Sequence, residues 1–182
     1  MKKHFVLMEL IGVLLVFGLI LAGCDNGTPG NSEELRWSKW VDDSSSATLT
    51  YDVGSDGVCN ITIGGTPNPD GQGVPWEAWK AQVQYSYSGE IGKTYIFTFD
   101  WWADGSTFEN VAITYARHDD SDPDKARDYP FGDGMLETIP TNQETKTFEA
   151  TIPEGANVLS LKFSCGSDTG TFHIANISIR EK

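Results

Sequence analysis

Apolar and polar residues alternate one for one along much of this chain. Cys59 to Ile63 reads Cys-Asn-Ile-Thr-Ile. Ala81 to Tyr87, Thr94 to Ala103, Asn110 to Arg117, Lys146 to Ile152, Val158 to Ser164 and Thr171 to Ile179 follow the same habit. Side chains of a strand point to opposite faces in turn, so period two marks a strand with one face buried. These runs are rich in β-branched and aromatic residues, and Gly, Pro, Asp or Asn bounds them, as strands between turns require. No stretch sustains a 3.6-residue apolar period. Trp76 to Trp79 suits a single helical turn at most. Seven or more strands at this spacing predict an all-β fold, an antiparallel β-sandwich.

The run from Thr94 separates the two faces. Tyr95, Phe97, Phe99, Trp101 and Ala103 share a face too apolar to stay in water, while Ile96, Thr98, Asp100, Trp102 and Asp104 share the other. In the preceding run, Val83, Tyr85 and Tyr87 match the apolar face, and Gln82, Gln84 and Ser86 the polar one. If the two runs lie in one sheet, its outer face collects Gln82, Gln84, Asp100 and Trp102. That mixture suits a sugar, whose C–H face packs on an aromatic plane while amides and carboxylates meet its hydroxyls. A place on the rim, under a loop, would equally account for Trp102, and a core lid for Trp76 and Trp79.

The first residues obey a different rule. Phe5 to Ala22 is nearly all apolar, Met1-Lys2-Lys3 precedes it, and Leu21-Ala22-Gly23-Cys24 closes it. This layout resembles a bacterial lipoprotein signal ending in a lipobox. The resemblance implies cleavage before Cys24 and a lipid on that cysteine. The run is as long as a short bilayer span of about 20 residues. However, Glu9 interrupts it and no basic cluster follows. The chain then divides into a signal peptide (1–23), a turn-rich tether (24–35) and one domain (36–182). The domain would stand outside the cytoplasm at the cell envelope, held to a bacterial membrane by its lipid, with the leaflet left open.

Charge narrows the partners. The full chain carries 13 basic and 26 acidic residues, a formal −13. Losing Lys2, Lys3 and Glu9 with the signal makes it −14. Nucleic acid binding rests on neutralising phosphates, so nucleic acid is excluded as a partner. Uncharged sugars meet no such penalty. Two cysteines follow Cys24, namely Cys59 and Cys165. An exported chain can oxidise them, and a bridge would close a loop of about 100 residues, adding roughly 4–5 kcal/mol in the chain-entropy model. Two buried free thiols are the equal alternative. No Cys/His spacing suits zinc.

Order and spacing of short motifs add a resemblance. Trp79-Lys80-Ala81-Gln82-Val83, followed by Gly92-Lys93-Thr94-Tyr95-Ile96-Phe97-Thr98-Phe99, resembles the centre of CenC-type carbohydrate-binding modules (families 4, 9 and 22). Asp56-Gly57-Val58-Cys59-Asn60-Ile61 is similar to their early strand, Thr147-Phe148-Glu149-Ala150 to a late one, and Gly170 to Ile179 to the closing one. The resemblance spans about Trp37 to Arg180. It implies a jelly roll that binds glycan along a cleft on its concave sheet, with Trp79 and Gln82 at the matched positions. Trp102, on the polar face just past the matched strand, and Tyr115 join Gln84 as further candidates by position; Tyr129 and Phe131 are weaker ones.

One departure bears on metal. The family's closing strand commonly offers an aspartate to a structural calcium, and Ala175 takes its place here, followed by Asn176. Losing a carboxylate weakens a calcium site, so no cofactor is expected. Asp120, Asp122 and Asp124 open like a calcium loop, but Lys125 and Phe131 stand where Gly and Glu are needed. No nucleophile elbow, phosphate loop or HExxH occurs, and His118 and His173 have no evident catalytic partner. The expectation is a monomeric, non-enzymatic binder of neutral polysaccharide or oligosaccharide. An envelope structural or adhesion protein, and an accessory of a glycoside hydrolase system, stay open.

Overall fold

The computed structural model describes residues 36–182 apart from 44–45, 66–74, 123, 133 and 135, and of residues 75–77 the backbone alone. The expected signal, lipidated Cys24 and tether lie outside the described residues. Eleven strands occur among them: β1 (Trp37–Val41), β2 (Thr48–Val53), β3 (Cys59–Gly64), β4 (Ala81–Ser86), β5 (Thr94–Ala103), β6 (Phe108–His118), β7 (Arg127–Pro130), β8 (Leu136–Ile139), β9 (Glu144–Thr151), β10 (Ser160–Ser164) and β11 (Gly170–Glu181). A 3-10 turn, Pro75–Lys80, leads into β4.

The strands form two antiparallel sheets. The front sheet runs β1-β4-β10-β6-β7, with β8 also on β6; the back sheet runs β2-β3-β11-β5-β9. The seven alternating runs are β3, β4, β5, β6, β9, β10 and β11. Of the other four, β2 alternates too, with Leu49, Tyr51 and Val53 more buried than Thr48, Thr50 and Asp52, while β7 and β8 are only four residues long and β1 breaks the pattern. β1 has exposed Ser38, Lys39 and Trp40 in succession, and the Lys39 ammonium reaches across to donate to Leu49 O of β2 at 2.7 Å.

The inward face of β5 is buried as its alternation requires, from Tyr95 to Ala103. Phe99 packs edge-on against Phe163 of β10 with ring centroids 5.2 Å apart, which ties the sheets together. Truncating such a ring to Ala costs about 3–5 kcal/mol.

Bulges reset the alternation at three points. In β6, Thr114 pairs with Pro130 and Ala116 with Tyr129, so β6 holds one extra residue there. Strict alternation would put Arg117 on the face of Ile113 and Tyr115, toward the core; the bulge turns it outward. The other two bulges lie around Asn110 and Asn176. Both have left-handed φ, 59° and 54°, a conformation that Asn tolerates better than most residues.

One expectation is corrected here, and of the two alternatives left open for the cysteines the free thiols are found. β4 lies in the front sheet and β5 in the back, so Gln82 and Gln84 do not share a face with Trp102. Cys59 and Cys165 are free thiols, both buried. They belong to different sheets, Cys59 to β3 and Cys165 to the end of β10, where its Sγ donates to Ala81 O at 3.4 Å. Burial pushes the Cys59 thiol up to about 12, with Asp52 adding to it, and burial raises Cys165 as well.

Candidate functional site

Outward positions of the front sheet follow from its register. Trp40 of β1 faces Gln82 of β4, and Gln84 faces Lys162 of β10. The core takes the intervening Ala81, Val83, Tyr85, Leu161 and Phe163. Trp79, from the turn before β4, leans beside Trp40. The two indoles stack with centroids 6.0 Å apart and planes at 25°, and they remain 45% and 43% exposed respectively.

These side chains open a groove of about 650 Å³ that crosses the sheet from Trp40 and Trp79, over Gln82, Gln84 and Ser160, to Lys162, Asp128, Arg117 and Asp119. That volume is in the range of ligand sites. From β1 to β7 it crosses four strand spacings, about 19 Å.

Chemistry changes along the groove. The tryptophan end is apolar. The centre is uncharged: Gln82 Nε2 donates to Trp79 O at 2.8 Å, and Ser160 Oγ donates to Gln84 Oε1 at 3.4 Å. The far end is ionic. Lys162, only 4% exposed, holds Asp128 Oδ2 at 2.6 Å. Burial lowers the Lys162 pKa, and Asp128 opposes that. Arg117, brought outward by the β6 bulge, lies 3.5 Å from Asp128 Oδ1 and 3.4 Å from Asp119 Oδ1. Asp128 Oδ1 is buried without a hydrogen bond.

Of the sequence candidates, Trp79, Gln82 and Gln84 meet in this groove. Trp102 does not. It lies on the outside of the back sheet, stacked on His173 with centroids 4.8 Å apart; His173 is held in turn by Asn60 Oδ1 at 2.7 Å and Asp104 Oδ1 at 3.0 Å. Tyr115 points inward against Phe97 and Phe131, and its hydroxyl donates to Thr151 O. Phe131 is core, and Tyr129 carries Arg127 over its ring.

Trp40, Arg117, Asp119, Asp128, Ser160 and Lys162 escaped the sequence reading. The spacing of Trp37 and Trp40 held a signal: three residues apart on a strand means opposite faces, and with Trp37 in the core Trp40 must face out.

The residues do not fit a calcium at the closing strand. Ala175 offers no side-chain oxygen. Asn176 turns its amide N–H, not its carbonyl, onto Asp100 Oδ2 at 2.8 Å. Thr145 and Gln143 also donate to Asp100, so hydrogen-bond donors surround that carboxylate. In the acidic loop, Asp120 and Asp122 accept main-chain N–H bonds from Asp122 and Asp124, and Asp122 pairs with Lys125. Among the described residues, no cluster of three His, Cys, Asp or Glu side chains is placed to hold a metal.

No protein-family model matches the chain, and no curated protein does. Solved structures do. A CBM4 structure superposes with a TM-score of 0.61 at 22% identity, over 80% of this chain and 86% of that one. This is the fold of a carbohydrate-binding module. An apo CBM1 of BiXyn10A, at 12% identity and TM-score 0.55, covers 80% of this chain and 89% of its own. The CBM22-1 xylan-binding domain of Paenibacillus barcinonensis Xyn10C, at 12% identity and TM-score 0.52, covers 80% and 85%. The groove thus lies on a sandwich that shares its fold with these carbohydrate-binding modules.

Proposed function

We propose that this chain binds a glycan with a neutral backbone along the front-sheet groove and does not cleave it. The observation that carries the reading is the pair Trp40 and Trp79, half-exposed at the head of a groove floored by Gln82 and Gln84. The indoles lie too close to take a ring between them, since a ring packed on both sides needs roughly 7–8 Å. A pyranose therefore stacks on the outer face of the pair. The next rings lie over the glutamines, whose amides match neutral hydroxyls as donors and acceptors. A glycosidase keeps one carboxyl group protonated, away from cations. Both carboxylates lining this groove have cations beside them, which favours binding over hydrolysis.

The test is affinity electrophoresis of residues 31–182 through gels containing β-glucan, xylan, mannan or cellulose derivatives. Retardation in at least one gel, lost in Trp40→Ala and Trp79→Ala, supports the reading. Passage through every gel without retardation would move the protein to the envelope structural or adhesion class.

We propose further that the domain works at the cell envelope, anchored through Cys24. The sequence Leu21-Ala22-Gly23-Cys24 after an apolar run supports this. Full-length chain expressed in a bacterial host is expected to incorporate a clickable fatty acid, and Cys24→Ala to lose it. Equal labelling of both forms rules the anchor out.

A further inference from the structure

A neutral glycan needs no guanidinium, yet Arg117 stands at the ionic end of the groove. Its two carboxylate contacts, at 3.4 and 3.5 Å, are long for charge-assisted bonds, which run about 2.7–2.9 Å. Arginine presents five donors in a planar fork. Among the described residues, Asp119 makes one long hydrogen bond to that fork, at Nε. Asp119 is an exchangeable partner. Its main chain is pinned by Asn157, which accepts from Asp119 N and donates to Asp119 O, both at 2.7 Å. Its carboxylate is 60% exposed and, among the described residues, meets Arg117 alone. It can swing into water without disturbing the loop.

Building on the glycan reading, we infer that the Arg117 end of the groove takes a carboxylate substituent of the bound glycan, which replaces Asp119 on the guanidinium. The two sites differ in chemistry, so the ligand has two parts: an uncharged backbone on Trp40, Trp79, Gln82 and Gln84, and an acidic branch at Arg117. A fully acidic polymer is the poorer match. The formal charge of −13 repels each carboxylate outside the groove, within a screening length of about 8 Å at physiological salt. A sparsely substituted glycan has one carboxylate at Arg117 and few elsewhere.

The experiment compares matched polymers in affinity gels at physiological salt. One pair is glucuronoxylan and the same polymer with its uronates reduced to neutral sugars. The other is carboxymethyl-cellulose and hydroxyethyl-cellulose. In at least one pair, the carboxylated member is expected to bind about ten-fold tighter, the worth of about 1.4 kcal/mol. Arg117→Gln should bring that ratio to about one, whatever happens to retention itself. Asp119→Asn removes the competing carboxylate and keeps the main-chain bonds to Asn157, so it should raise the ratio. Equal retention of both members by the unaltered protein overturns the inference while leaving glycan binding intact. So does a ratio that Arg117→Gln and Asp119→Asn both leave unchanged. Retention in none of the four gels, nor in the β-glucan and mannan gels above, sinks the glycan reading, and this inference with it.

Discussion

An indole on the outside of a sandwich covers itself with whatever apolar or aromatic surface lies nearby. Trp102 does so with the His173 ring, whose two nitrogens are held by Asn60 and Asp104. Trp40 and Trp79 cover one face of each other and leave the rest to the groove. Trp40→Ala and Trp79→Ala are therefore expected to weaken glycan binding about ten-fold each and to change stability by less than about 1 kcal/mol, as half-exposed side chains do. Trp102→Ala should leave binding unchanged. A loss of retention in Trp102→Ala with the fold intact would move the site to the back sheet. The thiols make a separate residue-scale prediction. Cys59 and Cys165 are buried, with raised pKa values, and thiolate is the reactive form. Native residues 31–182, which lack Cys24, should resist a thiol reagent at pH 8 for hours, and both thiols should react at once in guanidinium. Absence of reaction after unfolding would mean that a disulfide had formed. At this scale alternation turned Gln82 and Gln84 outward, while Trp79, in the turn before β4, came from the motif resemblance and not from alternation. Alternation misplaced Trp102 because it does not say which sheet a face belongs to.

The same limit holds for the elements. Long strands such as β5 and β11 carry enough alternation to be read locally, whereas four-residue β7 and β8 do not. Bulges are harder still, since one extra residue leaves no mark in composition. The β6 bulge is why Arg117 was missed: its neighbours' alternation points it into the core. The β11 bulge is the more testable of the two. Asn176 has φ 54° and donates to Asp100. Asn176→Val would put a β-branched residue in a left-handed conformation and remove that bond, for about 2 kcal/mol. A melting point lower by about 4–8 °C is expected for a domain of this size. No change on melting would mean that the bulge relaxes freely. Asp100 adds a pH dependence. Hydrogen bonds from Thr145 first, then Asn176 and Gln143, hold its pKa below the usual carboxylate value. A depressed folded pKa gives stability that is present above the unfolded value near 3.9 and lost as pH falls through the folded one. Asp100→Asn should flatten the acid limb of the stability curve below about pH 4. An unchanged limb would assign acid unfolding to other carboxylates.

At the scale of the whole molecule, charge separates specific recognition from general attraction. The chain is formally −13, yet the groove balances Lys162 and Arg117 against Asp128 and Asp119. A ligand held by stacking and neutral hydrogen bonds releases no counterions, and salt dependence grows with the number of charges neutralised. Retention by a neutral glycan should therefore stay flat between about 10 and 150 mM NaCl. A carboxylate-bearing glycan faces two opposing effects. The acidic surface repels it at long range, and salt screens that repulsion, since the screening length falls from about 30 Å to about 8 Å over the same interval. The inferred contact with Arg117 acts over far less than a screening length, so salt weakens it less. Its retention should rise across this range. A steep fall instead would show that acidic glycans are held by exposed cations scattered over the surface, with no part for the groove.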